Sequence, residues 1–422
     1  MKNFLKKKNF FIFTPRLHSF GGSFESLAES LKIANYMNKK IILCIPFFNL
    51  HGKHKVKKIF ALDLISNIFG KISLIEKTLT IFFTLFLNFC LLLKMIKIRG
   101  VLKKIVGIDL INRFLPLYLG YNGLDNNNYF VCESSLWNKI LIKKVNYSKK
   151  NEEDQRNSAE KKIISLYVKD ANYSKVSEIS LTSISNIENY RDSLEYIINK
   201  GFKIFRLGDT FSQNFVFNHD SFKDLTKSKN YNLNLQYATY EKSEFFFGSN
   251  TPGILIAIFF DKKRIITNVP AQYSNNTFSL SKENFSIFKK VFSIKKKRIL
   301  SIEEILSDKN LFIDEISLLR SSKDYVLIEN SPDEILNICK AFINFNYKNI
   351  KEDQTLLNQY LEIRSLNVDK LFKNSSSLTK LSSLKKYRYS VLNIPKSFLE
   401  KYLFNSKYLE EESKIISRTL DI

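Results

Sequence analysis

The chain is 422 residues long, which is enough for two domains that each bury a full hydrophobic core. Its hydrophobic content of 44% and charged content of 25% are ordinary for a globular protein. The charge balance is unusual, because 66 lysines and arginines face 41 aspartates and glutamates, giving a net charge of +25.

Three interpretations of this positive charge compete. A nucleic-acid-binding protein would be expected to cluster its arginines within a recognisable motif, and the sequence shows neither, so that class is disfavoured. A cytoplasmic enzyme that is attracted to anionic lipid, at the inner face of the cytoplasmic membrane, and that handles phosphorylated substrates is favoured. The third interpretation is that an AT-rich genome enriches lysine, asparagine, isoleucine and phenylalanine, which accounts for much of the excess.

The cysteines and histidines argue against a metal site. The four cysteines are far apart and form no C-x-x-C pair: Cys44, Cys90, Cys132 and Cys339. This pattern fits a reducing compartment and disfavours a disulfide framework or a zinc site. His51 and His54 stand among lysines, which favours a solvated basic loop over a metal pair.

Two apolar stretches near the start of the chain raise the question of whether the chain carries a signal peptide or a membrane-associated helix. The basic N-terminus resembles a signal peptide, but Thr14-Pro15-Arg16 breaks its apolar run and no small-residue cleavage site follows. Leu79–Leu93 is shorter than the roughly 20 apolar residues that a spanning helix needs. We favour a buried core helix there over an interfacial helix that lies on a membrane with flanking lysines at the headgroups: Lys77, Lys94 and Lys97.

The N-terminal region has a β-α-β pattern. Residues 9–13 are predicted to form a strand, and residues 41–45 the next one. The loop between the first strand and the helix that Ser23 can cap carries Arg16, His18 and the pair Gly21-Gly22. A glycine pair before a helix N-terminus lets the backbone approach an anionic ligand, although a plain tight turn explains it equally well.

Residues 146–162 are polar and rich in charge, which is typical of a linker. We therefore predict an N-terminal domain over residues 1–150 and a second domain over residues 160–345. Residues 346–422 are polar and helical in pattern, and we expect this tail to pack back on the domains.

A second β-α-β pattern follows the linker. Residues 163–168 and 202–207 are apolar runs that suit buried strands. Between them, Ser185 and Glu188 have the spacing of a capping box, and the helix that follows carries one apolar stripe: Ile187, Tyr190, Leu194 and Ile197. Gly201 is predicted to end that helix in a left-handed conformation.

Ligands of parallel α/β sheets bind outside the carboxyl ends of the strands. Polar and glycine residues fall at or near those ends in the second domain: Lys169, Asp170, Arg206, Gly208 and Asp209. We predict a site there, while solvated salt bridges at a sheet edge remain an equally good interpretation of the two aspartates.

A third strand, over residues 245–247, leads into a loop of small residues before an apolar helix over residues 254–260. Backbone N–H groups and hydroxyls of such a loop can bind a phosphate. The predicted phosphate ligands are the following residues: Gly248, Ser249, Asn250, Thr251 and Gly253. Further strands are predicted over 264–267 and 325–329, and a helix that starts at Ser331-Pro332 and runs through Phe342.

Several short motifs of the second domain resemble a family of bacterial glycosyltransferases from surface-polysaccharide loci. They are YVKDANY, NIENY, FRLGD and SEFFFGSNTPG followed by ITNVP. The N-terminal HSFGGSFESLAESLKIANYMNKKIIL is similar to the first β-α-β unit of fucosyltransferase-like GT-B enzymes. The resemblance covers most of residues 160–310.

The resemblance implies an α/β fold of the GT-B type, with two Rossmann-like domains facing a cleft and a helical C-terminal tail. It also implies a nucleotide-sugar donor in the second domain and a glycan or lipid-linked acceptor. Lys169, Arg206 and the loop from Ser249 to Gly253 would stabilise the leaving diphosphate, and Asp170, Asp209 or His18 would be the base. No D-x-D triplet occurs, which disfavours a metal-dependent GT-A enzyme, so no metal or other cofactor is expected.

The chain departs from the family at one motif. Members of the resembled family usually carry His-x-Arg-Asp where this chain has Tyr167-Val168-Lys169-Asp170. Lysine offers a point charge where arginine can bind a diphosphate with two parallel hydrogen bonds. Two alternatives therefore stay open. One is a diverged, non-catalytic GT-B scaffold that binds sugar or protein. The other is a sugar-nucleotide epimerase, but such an enzyme would be expected to use histidines in its cleft, and this chain has only four.

Overall fold

The structure is a computed structural model. It describes residues 10–13, 40–43, 78, 81–82, 84–85, 162–172, 182, 184–209, 212–260, 262–269, 284–307, 324–345, 355–360, 362–363 and 394–420. The chain divides into two compact units, residues 1–146 and 147–422, so the division falls at the start of the charge-rich segment.

In the first unit, strands β1 (Phe10–Phe13) and β2 (Lys40–Leu43) pair in parallel. Parallel neighbours require a crossover connection, as the β-α-β pattern predicted. Residues 78, 81–82 and 84–85 are helical, and Ile81, Phe82 and Leu85 are 53%, 57% and 62% exposed. These exposed side chains suit the interfacial interpretation of this stretch better than the favoured core helix. No helix in the described ranges is long and apolar enough to cross a bilayer.

The second unit is built on a six-stranded, all-parallel sheet. Its strands are β3 (Lys162–Tyr167), β4 (Phe202–Leu207), β5 (Phe222–Asp224), β6 (Phe245–Ser249), β7 (Lys263–Val269) and β8 (Asn284–Phe288). They lie in the order β5-β4-β3-β6-β7-β8. β4 and β5 are added on one side of β3, and β6, β7 and β8 are added on its other side. This is the doubly wound strand order 3-2-1-4-5-6. The predicted parallel α/β architecture is confirmed for this unit.

The predicted first helix is present, with a different cap. A 3-10 turn (Ile187–Tyr190) runs into α1 (Arg191–Asn199), and the predicted apolar stripe is fully buried. The N-cap is Asn186, whose side chain accepts from the Glu188 N–H at 3.1 Å, so the prediction of Ser185 was wrong by one residue. Gly201 follows the helix at φ +88°, the left-handed conformation that was predicted.

Helices α2 (Leu233–Lys242) and α3 (Gly253–Phe259) connect strands of the large sheet. A 3-10 turn, Leu225–Lys227, follows β5. Beyond β8 the chain enters a small antiparallel sheet of β9 (Lys290–Ser293), β10 (Arg298–Ile299) and β11 (Tyr325–Ile328). Helix α4 (Ile302–Ser307) follows β10, and α5 (Pro332–Ile343) follows β11 with the full capping box of Ser331 and Glu334.

Of the C-terminal helices, α7 (Ser406–Thr419) packs on this small sheet, and α6 (Lys396–Phe404) packs against α4 and α7. Ile416 of α7 is buried with Phe292 and Ile299, and the Ile299 N–H donates to Ser413 Oγ at 2.8 Å. The described part of the tail is therefore attached to the second unit.

A buried ionic cluster joins the same helices to β9 and α5. Lys290 is only 5% exposed, and its ammonium group contacts Glu334 of α5 at 3.3 Å and Glu412 of α7. The Tyr402 hydroxyl of α6 lies within hydrogen-bonding distance of both carboxylates and can donate its one proton to either of them. A buried ion pair stabilises little unless its members are fully hydrogen-bonded, and here each charge has a partner.

Candidate functional site

The carboxyl ends of β3, β4 and β6 meet at one edge of the large sheet, which we call the carboxyl edge. The chain turns to opposite sides of β3 to form β4 and β6, so the topological switch point lies between β3 and β6. In open α/β sheets this crevice is where ligands bind. Of the predicted site residues, Lys169 and Asp170 follow β3, and Gly208 and Asp209 follow β4. Gly248 and Ser249 are the last two residues of β6 and not part of the loop as predicted, Asn250 and Thr251 follow that strand, and Gly253 begins α3.

The end of β3 is joined to the end of β6. The Lys169 N–H donates to Ser249 Oγ at 3.0 Å, and both residues are buried. Tyr167 lies opposite Gly248 in the strand register, and a Cβ atom on Gly248 would come within 2.0 Å of the Tyr167 carbonyl oxygen. Only glycine permits the two backbones to approach this closely.

The segment from Ser249 to Gly253, the β6–α3 loop, is held by close packing at its end. A Cβ atom on Gly253 would lie 2.3 Å from Tyr240 Oη and 2.9 Å from the Tyr167 ring. Thr251 is 5% exposed, and its Oγ1 has no hydrogen-bond partner among the described residues. Gly248 and Gly253 are therefore tightly packed against neighbouring groups, and Thr251 between them carries a hydroxyl that no described group engages.

Asp170 is buried, and its carboxylate is used within the protein. Its Oδ2 accepts from the Gln213 N–H at 2.7 Å and from Arg206 at 3.3 Å, and its Oδ1 accepts from the Asn172 N–H at 3.2 Å. At 2% exposure, this carboxylate positions the chain after β4.

Arg206 lies inside β4 with its side chain completely buried. Its guanidinium contacts Asp170, Asp224 at 2.8 Å and the Gln213 carbonyl at 2.8 Å. These contacts direct the arginine into the sheet layer, where it links β3, β4 and β5. Arg206 therefore acts as a positioning residue beneath the carboxyl edge.

Asp209 is the half-buried carboxylate of the carboxyl edge. Tyr167 donates to its Oδ2 at 3.5 Å, a long hydrogen bond. Burial raises the pKa of this carboxyl, the Tyr167 hydrogen bond opposes that shift, and the charge of nearby Asp170 adds to it.

Gly208 supports Asp209 through three hydrogen bonds. Tyr231 Oη donates to the Gly208 carbonyl at 2.6 Å and accepts from its N–H at 2.8 Å, and Gln236 donates to the same carbonyl at 3.2 Å. A Cβ atom on Gly208 would meet Ser212 Oγ at 2.8 Å. The turn is thus fixed by side chains from the chain beyond β5.

A buried polar network next to the site was not predicted. Thr267 Oγ1 donates to the Gly248 carbonyl at 3.2 Å and lies 2.5 Å from Tyr190 Oη. Asn268, at φ +54°, donates to Tyr190 at 3.3 Å and is bonded to Asn330. The sequence signal was the asparagine that ends a buried strand, a residue type that tolerates left-handed backbone.

Three predicted site residues, His18, Gly21 and Gly22, lie outside the described residues. In the described ranges, no group of three histidine, cysteine, aspartate or glutamate side chains is arranged to hold a metal ion. Cys339 of α5 is buried, and burial raises the pKa of its thiol.

Comparison with known proteins found no family model, no curated protein and no solved structure that matches this chain. The fold and the geometry of the carboxyl edge are therefore the basis for any functional proposal.

Proposed function

We propose that the protein is a glycosyltransferase that moves a sugar from a nucleotide-sugar donor to a cell-surface glycan or a lipid-linked acceptor. The observation that carries the proposal is the switch point of a doubly wound parallel sheet, flanked by Lys169, Asp209 and the β6–α3 loop. Sheets with this strand order bind nucleotides at that crevice.

The leaving group of such a transfer is a nucleoside diphosphate, whose negative charge must be stabilised. Lys169 supplies positive charge at the end of β3. Thr251 of the β6–α3 loop supplies a hydroxyl that no described group engages, and we expect backbone N–H groups of the same loop to bind the diphosphate. Arg206 acts indirectly, because its guanidinium is buried and bound to Asp170 and Asp224.

The non-catalytic scaffold is the second candidate. What favours it is the burial of Arg206, together with Lys169 at the position where the glycosyltransferase family that the motifs resemble carries arginine. With lysine at position 169 and the Arg206 guanidinium bound to Asp170 and Asp224, neither residue offers the diphosphate a bidentate partner. Such a protein would bind a nucleotide sugar without transferring the sugar.

The exposed Ile81, Phe82 and Leu85 support peripheral contact with an anionic membrane, because an apolar helical face on a chain of net charge +25 suits an interfacial helix. This contact would bring the enzyme to a lipid-linked acceptor.

The experiment is a thermal-shift panel of UDP, GDP, ADP and CDP on the full chain, since a ligand of the native state raises the melting temperature. We expect one nucleotide to stabilise the native protein, and Lys169→Ala to remove most of that shift. The matched control is Lys200→Ala, an exposed lysine at the opposite edge of the sheet.

Hydrolysis or transfer of the corresponding nucleotide sugar, measured as released nucleoside diphosphate, separates the two candidates. Release by the native protein supports the transferase, and binding without release supports the scaffold. If no nucleotide shifts the melting temperature, the donor site is wrong.

A further inference from the structure

The turn after β4 presents one carboxylate on a rigid backbone. Tyr231 and Gln236 occupy the N–H and carbonyl of Gly208. The Asp209 N–H donates to Ser212 Oγ at 3.2 Å, and the Asp209 carbonyl accepts from the Ser212 N–H at 2.9 Å. Every backbone polar group of Gly208 and Asp209 is therefore hydrogen-bonded within the protein. The part of this turn that can contact a ligand is the Asp209 carboxylate.

The three carboxylates near β4 differ in what they bind. Asp170 and Asp224 both pair with Arg206. Asp209 forms no ion pair with a lysine or arginine of the described ranges, and its side-chain donor there is Tyr167 at 3.5 Å. Burial disfavours the charge of Asp209 more than this hydrogen bond and the nearby charge of Lys169 favour it, and such groups concentrate at functional sites.

The position of Asp209 in the strand order indicates the ligand group. β4 is the second strand of a 3-2-1-4-5-6 sheet, and an acidic residue near its carboxyl end is where such sheets bind a ribose hydroxyl. Resting on the proposed nucleotide-binding function, we propose that Asp209 accepts hydrogen bonds from the vicinal hydroxyls of the nucleotide ribose.

Distance favours this role for Asp209 over that of the base. β4 and β6 flank β3, so their ends lie two strand spacings apart, about 10 Å. In the proposed arrangement the diphosphate lies at the β6–α3 loop with its ribose toward β4, and the reacting sugar carbon stays next to the phosphate, away from Asp209. An ionised carboxylate offers two acceptor oxygens, which match the two hydroxyl donors of a ribose.

The test is isothermal titration with UDP, GDP, ADP and CDP, followed by the 2′-deoxy form of whichever binds most tightly. The proteins are the native chain, Asp209→Ala, Asp209→Asn and Asp220→Asn. Asp220 is an exposed aspartate just before β5, at the opposite edge of the sheet, so its substitution is the matched charge control.

We expect the native chain and Asp220→Asn to bind the ribonucleotide at least about tenfold more tightly than its deoxy form, as for a hydrogen bond to a charged group. Asp209→Ala should bind both forms with the same, weakened affinity. Asp209→Asn, which keeps one acceptor oxygen, should fall between.

Equal affinity of the native chain for both forms would overturn the ribose assignment and leave the proposed function intact. A preference for the ribonucleotide that persists in Asp209→Ala would also overturn the ribose assignment, because another residue would then bind the ribose hydroxyl. If Asp209→Ala weakened only a nucleotide sugar and not the free nucleoside diphosphate, the carboxylate would contact the transferred sugar instead. Failure of every nucleoside diphosphate to bind would overturn the proposed function together with this inference.

Discussion

Asn268 and Asn330 exchange a reciprocal pair of hydrogen bonds, in which the backbone N–H of each donates to the side-chain Oδ1 of the other at 2.7 Å. Both residues are fully buried. The pair joins the carboxyl end of β7 to the start of α5, and Tyr190 and Thr267 connect it to the Gly248 carbonyl in the site. The crevice therefore rests on an internal polar network.

Asn330→Ala tests the stability that this network provides. The substitution removes the acceptor of the Asn268 N–H and the donor to the Phe288 carbonyl, which lies at 2.8 Å. Because two buried backbone groups lose their partners, we expect a loss of about 2–4 kcal/mol in the free energy of unfolding, measured with urea. The exposed Asn230→Ala should change it by less than about 0.5 kcal/mol. Similar losses for both variants would argue against the network.

Lys290→Met tests the ionic cluster that holds the C-terminal helices. The change leaves Glu334 and Glu412 without their cation in a buried site, so we expect a loss of about 3–5 kcal/mol. The matched control is Lys296→Met. Lys296 is 52% exposed and pairs with Glu304 at 2.8 Å, and an exposed pair contributes at most about 1 kcal/mol. Equal melting temperatures of the two variants would contradict the prediction.

Gly253→Ala tests the close packing at the β6–α3 loop. The added methyl group would meet Tyr240 Oη at 2.3 Å, and relieving that overlap should cost about 1–3 kcal/mol. Tyr240 Oη is buried and has no hydrogen-bond partner in the described ranges, so Tyr240→Phe should be nearly neutral or stabilising by itself.

The double variant Gly253→Ala with Tyr240→Phe should recover part of the lost stability, because it removes the atom that the methyl group meets. Gly201→Ala is the control: that glycine has φ +88° and open space around it, so the cost there is backbone strain of about 1 kcal/mol, and Tyr240→Phe should not change it. A purely additive Gly253–Tyr240 cycle would contradict the contact.

The sequence predicted β3, β4, β6, β7 and β11 of the second unit, but it did not predict β5, β8, β9 or β10, and it did not predict the side-chain partners. The strands predicted over 202–207 and 245–247 were recognisable because they are short apolar runs with glycine or polar residues at their ends, although the second of them extends to Ser249. Strands of a parallel sheet are covered on both faces, so alternation cannot show which way a charged residue such as Arg206 points. Its ion pairs with Asp170 and Asp224 depend on tertiary contacts.

The same limit explains the network and the tail. Asn268 and Asn330 are 62 residues apart in sequence, and no local sequence pattern predicts that they pair. The contact of Ser413 with Ile299 spans 114 residues. The cap at Asn186 instead of Ser185 is a smaller miss, since both residue types cap helices and only the backbone decides between neighbours.

Arg206→Ala tests whether this arginine is structural. Its removal leaves Asp170 and Asp224 without their buried cation, and we expect a loss of about 3–5 kcal/mol in the free energy of unfolding. Arg418→Ala, an exposed arginine in the last turn of α7, should cost at most about 1 kcal/mol. Loss of nucleotide binding in Arg206→Ala would therefore need a folded-state check by circular dichroism. A fully stable Arg206→Ala protein would show that the buried pairs do not stabilise the fold.

Asp209→Asn tests the free-energy cost of keeping an unpaired carboxylate at the carboxyl edge. Burial raises the pKa of Asp209 in the folded state, so its contribution to stability is present below the ordinary aspartate pKa of about 3.9 and is lost as pH rises through the folded value. At neutral pH the ionised carboxylate therefore destabilises the fold, and the neutral amide should not. We expect Asp209→Asn to melt at a higher temperature than the native chain at pH 7, with the difference shrinking toward pH 4. Asp220→Asn, exposed at the opposite edge, should show no such trend. A lower melting temperature for Asp209→Asn at pH 7 would mean that the carboxylate is stabilised by its surroundings, and the reason to assign it a ligand would be lost.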